Sequence, residues 1–182
     1  MIRTYTLPCR LPKTDADAFN EASGAIYTRT MVAHWRVYRR TGHWLSGKAG
    51  ERLNDYQTRG DAPLLPAHSK DAAQQGFYHA CTAAHAARKV GIDGKYPRKR
   101  KRWRTTVWKA TCIRVKNGAI LLARARGLPP VRVAMPGWFQ PATMHIREVR
   151  LVWDRVSSKY VWHLVVEDGQ LPPPRPAPPS WR

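Results

Sequence analysis

The run Pro97-Arg98-Lys99-Arg100-Lys101-Arg102-Trp103-Arg104 sets six cationic side chains within seven positions. Groups of this kind at this density make and break no bonds; they neutralise phosphate. Arg presents a planar fork that grips two phosphate oxygens at once, and Lys presents a point charge. Every phosphate neutralised releases a condensed counterion, and that entropy drives binding. The acid-free stretch is longer than the run. From Gly94 to Arg147 there is no Asp or Glu, while Lys95, Lys109, Arg114, Lys116, Arg124, Arg126, Arg132 and Arg147 add further charge. A solvated face ordinarily mixes both signs, so this window reads as a polyanion-binding surface, with a localisation signal or a flexible basic tail as the plainer alternative. Arg98, Lys99, Arg100, Lys101, Arg102 and Arg104 are the candidate phosphate contacts, joined by Trp103 and Lys109 from the same window. Arg36, Arg39 and Arg40 form a second, smaller group. Trp103, Trp108 and Trp138 are interleaved with the charges. A tryptophan can stack on a base or pack in a core, and core packing is the favoured reading for these.

Other chemistries find little support in the spacing. Cys81 and His85 would share a helix face at i, i+4, but His79 points elsewhere and no Cys-x-x-Cys pair or fourth ligand lies near. No metal site and no cofactor is assigned. His34 and His43 adjoin Trp35 and Trp44 with no Ser or Cys nucleophile in a telling motif, and Walker and Gly-x-Gly-x-x-Gly patterns are absent. Gly91-Ile92-Asp93-Gly94 superficially resembles the strand motif that gives RNase H-like nucleases their first metal-binding Asp. Here it follows a helical pattern and leads into the basic run, so it reads as a helix-ending turn. Two-metal chemistry needs several convergent carboxylates, and Glu148, Asp154, Glu167 and Asp168 lie in no such motif. No catalytic residue is assigned, and the chain as it stands is read as a non-enzyme.

The whole composition agrees with the run. Lys and Arg number 32 against 12 Asp and Glu, a formal charge of +20. Such a chain repels itself unless a polyanion neutralises it. Hydrophobic residues are 43 % of 182, enough for a packed core in one large domain or two small ones. No stretch approaches the roughly 18 apolar residues of a membrane span, and no signal peptide is visible. Cys9, Cys81 and Cys112 are isolated and odd in number, as expected of thiols in a reducing cytoplasm; a nucleoid-associated cytoplasmic protein is the expectation.

The elements that must position these residues follow from periodicity. Ile2 to Leu7 alternates like a strand. Thr14 or Asp15 is the expected cap of a helix to about Arg40, with Phe19, Ala22, Ile26, Thr30, Ala33 and Val37 on one face and Gly42 as its stop. Leu45, Ala49, Leu53 and Tyr56 suit a second helix, and a loop takes in Gly60 and Pro63 to Pro66. Ser69 is the expected cap of a third helix to about Lys89. The period then changes to two: a strand from Trp103 to Lys116, an Asn117-Gly118 turn, a strand from Ala119 to Arg124, another from Val131 to Met135, and a hairpin of Ile146–Trp153 with Tyr160–Val166. The expected fold class is α+β, an antiparallel β-barrel built from 1–12 and 95–170 with a helical bundle, 13–94, inserted after the first strand. Residues 171–182 are dense in proline and read as a polyproline linker.

This order of parts resembles the N-terminal half of the transposon-encoded TnpB (OrfB) proteins and the related type V CRISPR effectors. The resemblance is carried by the Arg3-Thr4-Tyr5-Thr6-Leu7 strand, the long first helix containing Tyr27, and the Asp71 to Arg88 helix feeding into Lys95-Tyr96-Pro97-Arg98. It continues through Tyr160-Val161-Trp162-His163-Leu164-Val165-Val166-Glu167 and the Pro-rich exit. It spans nearly the whole chain. It implies a β-barrel wedge domain with an inserted recognition domain, gripping a guide RNA, a target DNA duplex or heteroduplex and a short adjacent DNA motif, while base pairing reads sequence. The family's RuvC-like nuclease domain and zinc ribbon would follow the linker. This sequence ends at Arg182 without them, so a truncated or split product, or a protein that works without cleavage, is the expectation. Two other readings stay open: a sequence-specific DNA- or RNA-binding regulator that uses no guide, and one subunit of a split nuclease whose catalytic domain is separately encoded.

Overall fold

The computed structural model describes residues 1–57 and 64–169. Gly60, Pro63 and the Pro-rich segment 171–182 lie outside the described residues. The order of elements is β1 (Ile2–Pro8), α1 (Lys13–Thr41), α2 (Gly47–Gln57), α3 (Ala67–Lys89), β2 (Thr106–Lys109), a 3-10 turn (Ala110–Cys112), β3 (Ile113–Lys116), β4 (Ala119–Leu122), β5 (Val131–Ala134), β6 (Met144–Asp154) and β7 (Lys159–Asp168). The chain is α+β, with three helices and antiparallel sheets among the described residues.

The strands form two sheets, β1-β7-β6-β2 and β3-β4-β5. No ladder among the described residues joins them, so the closed barrel expected from the sequence is not formed. The cause is local. The continuous strand anticipated from Trp103 to Lys116 starts only at Thr106 and is interrupted at Ala110–Cys112. That 3-10 turn carries the chain from an edge of the first sheet into the second, and Ala123 N donates to Cys112 O at 2.8 Å across the corner. β1 lies at the other edge of the first sheet, paired with β7 from Ile2↔Glu167 to Pro8↔Val161. Pro8, which has no N–H to give, sits at the last position of that edge strand. Met1 closes the strand's start, its ammonium donating to Asp168 O at 2.6 Å. The turn at Asn117-Gly118 has both residues at positive φ, 49° and 66°, as a two-residue hairpin of this twist requires.

The helices start differently from the sequence expectation. Neither Thr14 nor Asp15 caps α1, and Ser69 does not cap α3. In both, a proline (Pro12, Pro66) precedes the first turn without any side-chain cap. Its carbonyl takes the first amides, Asp15 N and Ala16 N on Pro12 O at 3.1 Å, and Ser69 is buried within the first turn of α3. α1 does end at Gly42, whose φ of 68° lets its N–H reach Tyr38 O at 2.8 Å. α2 starts where Ala49 N donates to Ser46 Oγ at 3.2 Å.

Two clusters make the core. In the first, Ala16, Phe19 and Ile26 of α1, with Leu65 and Ala73, pack on Trp108, Ile120, Leu122, Val149, Leu151, Trp162, Leu164 and Val166. Trp108 is its centre: fully buried, 5.4 Å from the Phe19 ring and 5.8 Å from the Trp162 ring, with Nε1 donating to Ala123 O at 2.8 Å. The second cluster, Tyr27, Met31, Phe77, Tyr78 and Cys81, lies between α1 and α3. A buried polar pin links helix to sheet. Asn20 Oδ1 accepts from Thr106 N and Thr106 Oγ1, both at 2.9 Å, and Asn20 Nδ2 donates to Leu151 O at 3.3 Å.

Candidate functional site

The basic run is neither strand nor tail. It lies along α1 as an irregular strap, bent at Lys99 and Arg102, running opposite to the helix. Trp35 Nε1 donates to Pro97 O at 2.9 Å. Farther down, Thr28 Oγ1 donates to Lys101 O at 3.1 Å and lies 3.0 Å from the Lys101 N–H that it accepts. Next, Arg104 N donates to Asn20 O at 3.0 Å. Two side chains, Trp35 and Thr28, and the Asn20 carbonyl on one face of α1 therefore pin the backbone of the strap at three places. At Gly24 the strap crosses so closely that a Cβ there would stand 2.9 Å from Lys101 O and 2.7 Å from the Arg102 carbonyl carbon.

Pinning the backbone sorts the side chains. The Arg98 guanidinium lies over the Trp35 ring at 5.1 Å and that of Arg102 over Trp103 at 4.2 Å. Arg98 and Arg100 line a groove of about 350 Å³ with Met31, Val32, Trp35, Tyr38 and Arg39. Lys99, Lys101 and Trp103 are exposed, and Arg102 is 3.4 Å from Glu21 at the surface. Arg39, from the second predicted group, thus shares the groove with the strap, while Arg36 and Arg40 are exposed on the same helix.

Two members of the predicted set are placed elsewhere. Arg104 turns inward, its guanidinium 4.4 Å over the Tyr27 ring and packed against Gly76; burial lowers its pKa, the opposite of what a phosphate neighbour does. Lys109 is on β2, where its ammonium donates to Gln75 Oε1, and Gln75 Nε2 donates to Glu51 Oε1 at 3.0 Å. The acid-free window is also less uniform in space than along the chain. Arg147 meets Glu167 at 2.7 Å and Arg124 lies over Phe19 at 5.5 Å.

Sequence spacing did not reveal an aromatic bowl at the strap's first end. It has a volume of about 740 Å³ and is lined by Trp35, Tyr38, Trp44, Tyr78 and Tyr96 with Arg88 and Arg98. Trp44 sits 5.7 Å from Trp35, 5.6 Å from Tyr38 and 5.4 Å from Tyr96. Arg88 lies 4.8 Å over the Tyr96 ring, and His85 Nδ1 is 3.2 Å from the Tyr96 hydroxyl. The available signal was the recurrence of aromatics at Trp35, Tyr38 and Trp44 among Arg36, Arg39 and Arg40; nothing local tied Tyr96 to them. His79 and His85 are exposed while Cys81 is buried, its thiol pushed up to about 11 by desolvation. No group of three or more metal-ligating side chains occurs among the described residues.

Beneath the bowl His34 is fully buried, ringed edge-on by Trp35, Trp44, Phe77 and Tyr78 at 4.5 to 5.6 Å. Neither ring nitrogen has a hydrogen-bond partner among the described residues, and desolvation lowers its pKa from 6.5. The folded state holds the neutral form, whereas the unfolded chain titrates at its ordinary value. The contribution to stability is complete above that value and is lost as pH falls below 6.5 toward the folded pKa. Urea midpoints are therefore expected to drop from about pH 7.5 to about pH 5, and to drop less in His34→Phe, which has nothing to protonate. Equal drops in the two proteins would remove His34 as the cause.

No helix among the described residues is long and apolar enough to cross a membrane. No family model matches the chain, and no curated protein matches it.

Proposed function

We propose that the protein is a nucleic-acid-binding module that grips a guide RNA and its target DNA, without a nuclease centre of its own. The observation that carries this reading is the strap. A run of cations whose backbone is pinned along a helix holds Arg98, Lys99, Arg100, Lys101 and Arg102 on one ordered segment. A preorganised row loses little side-chain and backbone freedom when a phosphate chain settles on it. A flexible basic tail would have no such anchors. The choice of an RNA-guided system rests on the resemblance to the TnpB and type V effector half. In that reading the two sheets, joined at the Ala110–Cys112 corner, stand for an opened wedge barrel, and the helices that carry strap and bowl stand for the recognition domain. A nuclease domain encoded elsewhere is the expected partner.

The double variant Arg100→Ala/Arg102→Ala tests the strap. Each lost phosphate contact removes about 0.7 to 0.9 from the slope of log affinity against log salt, so the pair is expected to flatten it by about 1.5 and to weaken binding to all sequences alike. An unchanged slope means that these residues touch no phosphate. Sequencing RNA that co-purifies with the protein tests the guide: one enriched structured species is expected, and a random spread of cellular fragments overturns it.

A further inference from the structure

We infer that the aromatic bowl captures a single unpaired nucleotide of a bound strand, with its base against Trp44 and Tyr38 and its phosphate on Arg88 and Arg98. This rests on the reading that a nucleic acid follows the strap, and it adds where one base leaves the stack. Two features of the bowl choose this occupant.

The first is continuity. Arg98 lines both the bowl and the groove that holds Arg100 and Arg39. A backbone tracking the strap therefore arrives at the bowl's rim without a break in positive charge. The second is the lining. Trp44 and Tyr38 are 39 % and 40 % exposed, so both present ring surface to the bowl. Every base has a π-face, so rings of this kind stack on it whatever its identity. An aromatic bowl can also hold a quaternary ammonium. Here Arg88 and Arg98 already lie over the Tyr96 and Trp35 rings, and they repel a further cation while attracting a phosphate. The volume of about 740 Å³ lies within the range of about 300–1,000 Å³ usual for sites of this size.

The test uses the full chain and an RNA hairpin with a one-nucleotide overhang, compared with the same hairpin blunt and with an abasic overhang. The overhang is expected to bind about 5- to 150-fold more tightly than either control, the range set by one base stacked on aromatic side chains. Trp44→Ala should erase that preference and leave the salt slope unchanged, because no phosphate contact is removed. In the wild-type protein, 5-iodouracil at the overhang should photo-crosslink to Trp44 or Tyr38, a readout independent of whether any variant folds. Binding with no preference for the overhang, or crosslinks confined to other residues, overturns the bowl but leaves the strap standing. Failure of all three hairpins to bind overturns both.

Discussion

Replacing Gly24 with Ala is expected to destabilise the protein by about 1–3 kcal/mol net, although at an ordinary helical glycine the same change stabilises by up to about 1 kcal/mol. The inversion of sign comes from the strap. The added methyl would stand 2.9 Å from Lys101 O and 2.7 Å from the Arg102 carbonyl carbon, and both are backbone atoms that cannot rotate away. Overpacking of this kind costs about 1–3 kcal/mol. Lifting the strap also strains the paired hydrogen bonds between Thr28 Oγ1 and the Lys101 backbone, worth about 1 kcal/mol together or somewhat more. Urea unfolding gives the sign, and amide exchange at Lys101 should speed up, because its N–H loses its acceptor. A variant as stable as the wild type would mean that the strap is not seated on α1. On the proposed function, the same substitution weakens binding without removing any charge, which separates preorganisation of the row from its charge alone.

Trp108→Ala is expected to cost about 3–5 kcal/mol, a large part of the roughly 5–15 kcal/mol that holds a domain of this size folded. Trp108 is the side chain on which the helical layer and both sheets converge. Its ring faces Phe19 of α1 at 5.4 Å and Trp162 of β7 at 5.8 Å, and its indole N–H holds Ala123 O, just past β4, at 2.8 Å. Truncation removes the ring, leaves a cavity among residues of three layers and orphans the Ala123 carbonyl. Trp108→Phe keeps most of the volume and loses only the indole donor, so it should cost much less. The measurement is the urea midpoint of each. Equal losses in the two variants would assign the energy to the hydrogen bond; a small loss in both would mean that the layers are held together elsewhere.

Trp103, Trp108 and Trp138 show how far composition reaches. All three lie in the acid-free window, and for all three packing was the favoured expectation. Trp108 takes that role, but Trp103 is 48 % exposed beside Arg102, and Trp138 is 38 % exposed with its ring 4.1 Å from Tyr5. Their local sequences do not separate them. Trp108 has an inward position on a strand, whereas Trp103 stands in coil and Trp138 in a turn.

The sequence by itself determined what depends on near neighbours. Spacings of three and four through Phe19, Ala22, Ile26, Thr30 and Ala33 make α1, positive φ at Asn117 and Gly118 makes the hairpin, and alternation makes β6 and β7. The absence of acids from 94 to 147 is likewise a plain property of the chain. Tertiary structure alone decided which of those cations face outward. Arg104 and Arg102 are two residues apart, yet one is packed on Tyr27 and the other is at the surface. It also opened the anticipated barrel at Ala110–Cys112 and brought Tyr96 to within 5.4 Å of Trp44 across half a hundred residues of chain. Periodicity and turn sterics act over a few residues and are written locally. The seating of the strap and the closing of the bowl depend on which surfaces meet once the helices have packed, and that is set by the shape of the whole core.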